Sequence, residues 1–278
     1  MNKKNRIAAN LAVLPMYIFS LVFVAGPLIY MVILSFEARD GSGFSLDNYK
    51  KIFDELYLRT FAESLKLAAV STAAVTVLGY PFGLCAAFAG GRLGKLYHTA
   101  QMIPYFVNSL LRLVGWIIIF RANGLLDRAL MALGIIEEPL KLLYSYPAVV
   151  VGMIYVLLPF MFMSVYQVAA GMDKTLIEAA RDLGAGRIRA FLSVTLPLTM
   201  PGLKTGIILT FIPSMGLFFI ASILGGNKVV LLGSLIEEQL MKAHNTPFAA
   251  ALSTVLMLFT AIVCGLLMKK NGKSGKDA

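Results

Sequence analysis

The residues of this chain whose types could do chemistry are few and widely spaced. It contains two histidines, His98 and His244, and two cysteines, Cys85 and Cys264. A metal centre needs three or four ligands at close spacing, and neither H-E-x-x-H nor paired C-x-x-C occurs. Serine nucleophiles lack a G-x-S-x-G elbow, and only two histidines are available as bases. A phosphate cradle of the form G-x-x-x-x-G-K-[ST] is approached at Gly94-Lys95, but Ala89 stands at the first glycine position and Leu96 follows the lysine. Hydrolytic chemistry on this chain is therefore not expected. What remains is a polar segment suited to contact, Glu178-Ala179-Ala180-Arg181-Asp182-Leu183-Gly184, set between long apolar runs.

Those runs must position the segment, and composition says where they lie. Of the 278 residues, 58% are hydrophobic and 14% charged, against about half and about a quarter in a soluble globular domain. The net charge of +10 comes from Lys and Arg that fall between uncharged runs. This fits contact with membrane lipid, and no nucleic-acid partner is expected. A membrane-crossing helix takes roughly 20 mostly apolar residues. Six runs qualify, so the expected fold is all-α, a polytopic membrane protein forming one transmembrane domain over 1–278. The spans are expected near 12–35, 66–90, 96–120, 147–170, 198–223 and 247–268, with a polar loop at 171–197. The first run follows Lys3, Lys4 and Arg6 but is much longer than the core of a signal peptide and lacks a small-residue cleavage site, so a retained helix is expected.

Orientation follows from counting basic residues in alternate loops, because cytoplasmic loops hold the excess. Lys3, Lys4, Arg6, Arg92, Lys95, Lys174, Arg181, Arg187, Arg189, Lys269, Lys270, Lys273 and Lys276 lie on one side, 13 against nine on the other. Both termini and the 171–197 loop are expected in the cytoplasm. No span carries a central Asp or Glu for a proton relay, and no inverted repeat with paired broken helices is evident. Transport would then draw energy from a partner or be passive.

Within the loop, Asp173 suits a helix N-cap and Gly184 a left-handed C′ position, with good helix formers between. Leu176, Ile177, Ala180 and Leu183 share a face. A second short helix is expected from Arg187 to Val194, ending at the Leu196-Pro197 break. An amphipathic basic helix could lie on the anionic inner leaflet or dock on a protein; periodicity leaves both open.

Glu178-Ala179-Ala180, three residues, Gly184, nine residues, then Val194-Thr195-Leu196-Pro197 resembles the EAA motif, E-A-A-x3-G-x9-I-x-L-P, with Val for Ile. That motif marks permease subunits of binding-protein-dependent ABC importers of the type I, MetI-like kind. Further pieces resemble the permeases of spermidine/putrescine transporters: Leu46-Asp47-Asn48-Tyr49, Leu78-Gly79-Tyr80-Pro81, Asn108-Ser109-Leu110-Leu111-Arg112, Leu157 to Met161 and Pro213 to Phe218.

The resemblance implies a type I importer permease fold in a bacterial inner membrane. It implies a second related permease subunit, two copies of a cytoplasmic ABC ATPase and an external solute-binding protein. No cofactor is then bound by this chain, since ATP and Mg belong to the partner ATPase. It assigns ATPase coupling to Glu178, Ala179, Ala180, Asp182, Gly184, Leu196 and Pro197. Candidates to line the solute pathway are Tyr105, Phe106, Asn108, Arg112, Ser214, Phe218, Phe219 and Ser222. Two positions depart from the polyamine pattern. Ser222 stands where a carboxylate is usual before Leu-Gly-Gly, and Phe106 where a tryptophan is usual after the Pro-aromatic pair. The expected function is half of the translocation pathway for a small solute, most simply a polyamine; a self-sufficient channel or secondary carrier is the alternative.

Overall fold

An apolar run that crosses lipid must satisfy its backbone N–H and C=O groups internally, which leaves the helix as the form open to a single segment. The computed structural model of the chain describes residues 14–269 apart from Ser42 and Asn227, and among them there is no β-strand. In chain order the helices are α1 (Leu14–Leu34), α2 (Asp47–Ile52), α3 (Glu55–Ala89), α4 (Gly91–Met102), α5 (Ser109–Phe120), α6 (Leu125–Ala132), α7 (Tyr146–Ala170), α8 (Thr175–Asp182), α9 (Arg187–Gly216), α10 (Phe218–Gly225), α11 (Leu232–Met241) and α12 (Thr246–Lys269). Six stretches are long and apolar enough to cross a membrane: α1, α3, α5 with α6, α7, α9 and α12. The basic residues Lys3, Lys4, Arg6, Lys270, Lys273 and Lys276, and the part of the first run before Leu14, lie outside the described residues.

Three stretches differ from the sequence expectation, each for a local reason. α3 begins at Glu55, some three turns before the expected start at 66, because residues 55–65 are helix formers with an acid in the first turn. The third run is not one helix over 96–120. Its ladder stops at a 3-10 turn, Ile103–Phe106, where Pro104 has no N–H to donate, and Val107 is extended. A new helix starts at Asn108, whose Oδ1 accepts the N–H of Leu110 at 2.8 Å. The fifth run, expected to begin at 198 after a break at Leu196-Pro197, is continuous from Arg187. Residues Phe191–Thr195 form a π-turn, with the Leu196 N–H bonded to the Phe191 carbonyl, and the extra residue carries the helix past Pro197. α1 uses the same device ahead of Pro27, with a π-turn at Leu21–Ala25 and the Gly26 N–H on the Leu21 carbonyl.

The chain divides into two compact units. One comprises residues up to 58 together with 235–261. There the Asn48 amide donates to the carbonyls of Ser35 (3.1 Å) and Glu37 (2.8 Å), folding the loop after α1. Tyr57 meets Phe248 edge-on, and Lys51 sits 4.7 Å above the same Phe248 ring.

The other unit, 59–234 with 262 onward, is organised around α7. Ser145 caps α7, Pro147 occupies its first turn, and one side is buried from Ala148 to Ala169. Its neighbours approach through glycine. On α3, Gly79 and Gly83 face Met161 and the backbone of Phe162. On α9, Gly202 and Gly206 face Ser164 and Met161. These small-x-x-x-small pairs let helix backbones close up where lipid supplies no hydrophobic drive. Tyr80 of α3 and Thr199 of α9 bond through their hydroxyls at 2.8 Å, and Thr199 passes its own proton to the Thr195 carbonyl at 2.7 Å. Two buried hydroxyls are thereby satisfied across a helix pair.

Candidate functional sites: an open loop helix and a membrane cavity

Both candidate regions belong to the unit built on α7. The first is the loop after it. Asp173 accepts the Thr175 N–H through Oδ1 at 3.0 Å, and that bond holds its carboxyl below the ordinary carboxylate range. α8 then runs eight residues and stops abruptly. Gly184 takes φ +86, its N–H bonds to the Arg181 carbonyl at 2.9 Å, and the Ala185 N–H bonds to the Ala180 carbonyl at 3.0 Å. This is a Schellman ending, available at low cost because glycine has no Cβ.

α8 packs its Ile177 and Ala180 side toward the Phe191–Thr195 turn of α9. Glu178, Ala179, Asp182 and Gly184 stay exposed, as do Leu183 at 89% and Ile188 at 77%. A shallow groove of about 760 Å³ runs beside them, lined by Gly186, Arg187, Ile188, Arg189, Leu192 and Ser193. Leu196 is half-buried and Pro197 exposed on the adjoining helix. The loop is also tied to the rest of its unit: Lys174 reaches the Phe88 carbonyl at 3.4 Å, at the C-terminal end of α3 where a cation suits the helix dipole. The seven residues assigned to coupling thus lie along one short stretch, with a face that no described residue covers.

The second region is a cavity of about 570 Å³ lined by a helix break, the middle of α7 and a helix junction. The α4–α5 break supplies Phe106, Val107, Asn108, Ser109 and Arg112; the middle of α7 supplies Val156, Leu157, Pro159 and Phe160; and the α9–α10 junction supplies Pro213, Leu217 and Phe219. Each of these stretches carries a proline. Pro104 stands in the 3-10 turn before α5, Pro159 in the middle of α7 and Pro213 near the end of α9, and each lacks an N–H to donate to its helix. Phe106 is 87% exposed. Arg112 lies half-buried, its guanidinium carbon 5.4 Å from the Tyr155 ring centre, with a buried Nε that has no hydrogen-bond partner. No carboxylate lines the cavity.

Of the eight residues proposed from sequence for a pathway, Phe106, Asn108, Arg112 and Phe219 come together around this cavity. Three do not line it. Ser214 is buried and donates to the Phe211 carbonyl at 2.6 Å; Phe218 packs on Gly233; Ser222 sits half-buried along α10. Tyr105 lies in the 3-10 turn, and its side chain is outside the described groups. Asn108 also spends its Oδ1 on capping α5. Val107, Ser109, Val156, Leu157, Phe160 and Leu217 also line the cavity and are not among the candidates from sequence. The usable signal was the intramembrane prolines themselves, Pro104, Pro159 and Pro213.

Six membrane-crossing helices, a broken helix beside a cavity and a short open loop helix define a polytopic membrane transport subunit. The chain belongs to the family of binding-protein-dependent transport system inner membrane components, which residues 79–271 match. It is 38% identical over 252 residues to the spermidine/putrescine transport system permease protein PotB of Escherichia coli (strain K12), covering 89% of this chain and 90% of that protein. Identity to PotB of Salmonella typhimurium (strain LT2) is 36% over 264 residues, 93% of this chain and 91% of the relative. The molybdenum transport system permease protein ModB of Mycobacterium bovis is 31% identical over 203 residues, 72% and 74% of the two chains. In fold the chain resembles a bacterial ABC transporter involved in the import of the acidic polysaccharide alginate, with TM-score 0.74, 16% identity and 96% of each chain covered. It also resembles the MetNI methionine ABC transporter in an inward-facing conformation, with TM-score 0.53, 21% identity, and 78% and 93% covered. The protein is a multi-pass inner-membrane permease subunit of a binding-protein-dependent importer, a transport component rather than an enzyme.

Proposed function

We propose that this chain is one of two related permease subunits in an ATP-driven importer of a spermidine- or putrescine-like polyamine. The observation that carries the reading is the 38% identity to a spermidine/putrescine permease over nearly the full length of both chains. The full assembly comprises this subunit, the second permease, two copies of a cytoplasmic ABC ATPase that bind ATP and Mg, and an external solute-binding protein. Both termini and the 171–197 loop face the cytoplasm, in keeping with the excess of basic residues on that side.

In this reading α8 is the coupling helix. Its open face, with Glu178, Ala179, Asp182 and Gly184, seats in the ATPase; Ala and Gly permit close approach, and the exposed Leu183 and Ile188 supply apolar area. Leu196 and Pro197 begin the stretch of α9 that carries movement of the loop into the membrane. Closure of the ATPases around ATP rotates the two permeases, and the solute delivered outside passes between them. Phe106, Asn108, Arg112 and Phe219 line this subunit's share of the path. Ser222, which replaces the usual carboxylate, lies off the cavity, so its identity changes the lining less than the sequence alone suggests. Ser214 and Phe218, which do not line the cavity, contribute through packing within their own unit.

The test is purification of the tagged chain from its native locus in mild detergent, with the retained proteins identified by mass spectrometry and uptake of labelled spermidine and putrescine measured in parallel. A second permease and an ATPase should be retained, and Glu178→Lys should release the ATPase while the permease pair survives. A chain that purifies alone yet conducts solute in liposomes would overturn the reading.

A further inference from the structure

Among the described residues Arg112 is the one charged side chain lining the membrane cavity, and its surroundings are electrically incomplete. Its Nε is buried with no acceptor. Its only described partner is the Tyr155 ring face, 5.4 Å away. Arg112 also sits in the first turn of α5, a 12-residue helix whose N-terminal end carries partial positive charge and opens onto the cavity at Asn108 and Ser109. The cap accounts for the Leu110 N–H alone among the first three amides. An arginine held within a membrane-crossing helix at that positive end is costly unless an anion meets it. The one buried carboxylate among the described residues, Asp127, is already engaged by the N–H groups of Asn123 (3.0 Å) and Leu140 (3.3 Å), so the described residues supply no such anion.

We propose that this cavity is a carboxylate-binding site, in which Arg112 and the first amides of α5 receive a carboxylate that comes from outside the chain. The planar fork of the guanidinium suits two carboxylate oxygens, and the N-terminal end of α5, at Asn108 and Ser109, brings N–H groups to the same cavity. Two sources share this chemistry: an Asp or Glu of the second permease, and a carboxyl group on the solute. Resting on the polyamine reading, the first is the source, because a polycation brings no carboxylate and is repelled by a bare arginine. The partner's acid then closes the open side of the cavity and neutralises Arg112 when solute passes.

The test runs on the full transporter in membranes. With Cys85 and Cys264 replaced by Ser, Arg112→Cys is paired with a cysteine at each Asp and Glu of the second permease's spans, and a short bifunctional thiol reagent is applied. The proposal expects one partner position to cross-link selectively. Charge is tested separately. Arg112→Glu should cut spermidine uptake at least tenfold with the assembly still co-purifying, and an acid-to-lysine change at the cross-linked position should restore it; Arg112→Lys should retain part of the uptake. Ornithine, which is putrescine with a carboxyl group added, tests the other source. If ornithine is taken up or competes in an Arg112-dependent manner and no partner position cross-links, the solute provides the carboxylate. If no position cross-links, ornithine is inert and Arg112→Gln transports at the wild-type rate, the carboxylate site is overturned. The cross-linking arm needs no transported solute, so failure of wild-type polyamine uptake would strike the polyamine reading and leave this one standing or falling by itself.

Discussion

The loop around α8 and the cavity beside α5 belong to the same unit and touch the same two helices, yet they are made in opposite ways. The loop is local. Its cap, its helix and its left-handed stop all fall within 14 residues, and apart from the Lys174 contact with the Phe88 carbonyl every bond named for it joins residues no more than five apart. The cavity is assembled from four helices, with lining residues from Phe106 to Phe219. The loop presents a surface shaped almost wholly within its own segment. The cavity presents an unfinished one, with an arginine whose buried Nε has no acceptor. On the proposed assignments, a docking element is complete within one subunit, whereas a pathway shared between two subunits is complete in neither.

If the two regions are distinct devices on one scaffold, a lesion in the scaffold should remove both. Gly202 of α9 is the sharpest place to strike, because a Cβ there would come within 2.7 Å of the Ser164 carbonyl oxygen of α7. Backbone cannot step aside as a side-chain tip can, so Gly202→Leu forces α7 and α9 apart, at a cost of about 1–3 kcal/mol or more. Cells should hold little of the variant in their membranes, and what survives should neither retain the ATPase nor transport. Normal yield and uptake would show that α7 and α9 do not need this approach.

A lesion confined to the loop should separate the two. Gly184 has φ +86 and open space around it, so a valine there meets no clash and suffers only from backbone strain, about 1–2 kcal/mol. Gly184→Val should leave membrane yield and pairing with the second permease intact while weakening ATPase retention on the order of tenfold, since 1.4 kcal/mol is a tenfold change. Glu178→Lys acts at the same surface through charge instead of shape. Retention measured against ATPase concentration distinguishes a weakened interface from a lost one. If Gly184→Val abolishes the membrane-embedded pair as well, the loop is not a separable device.

This contrast also explains how much could be read from sequence. Asp173, the helix formers and Gly184 each act within a turn or two of themselves, so the α8 loop followed from residue types and spacing. Six apolar runs followed from composition for the same reason. The continuity of α9 through Pro197 did not follow, because a proline normally ends a helix and the π-turn that rescues it depends on packing around Phe191 and Thr195. The break at Pro104 was missed in the other direction, since an apolar run hides whether its ladder is continuous. The lining of the cavity required knowing which face of α7 meets Gly202 and Gly206 and which faces Arg112. That is a matter of which helix lies beside which, and hydropathy carries no trace of it. Ser214, a candidate for the pathway, bonds the Phe211 carbonyl of its own helix instead.

The finest test of the local character of the loop is electrostatic. Asp173 is fully solvent-exposed, and its carboxyl is lowered by the bond it accepts from the Thr175 N–H at 3.0 Å. A depressed value in the folded state means that ionised Asp173 is favoured by folding. Its contribution is present above the ordinary carboxylate range and disappears as pH falls through the lowered value. Between pH 7 and pH 5 the start of α8 should therefore not change. With the chain in micelles and aspartate labelled with carbon-13, the Asp173 carboxyl should titrate below free aspartate, and its titration should coincide with a shift of the Thr175 amide proton. Asp173→Asn keeps an acceptor oxygen and should hold ATPase retention near wild type, whereas Asp173→Ala should weaken it slightly. If Asp173 titrates at the free value while Asp173→Ala still weakens retention, the residue contacts the ATPase directly, and the loop would share with the cavity the property of being completed from outside.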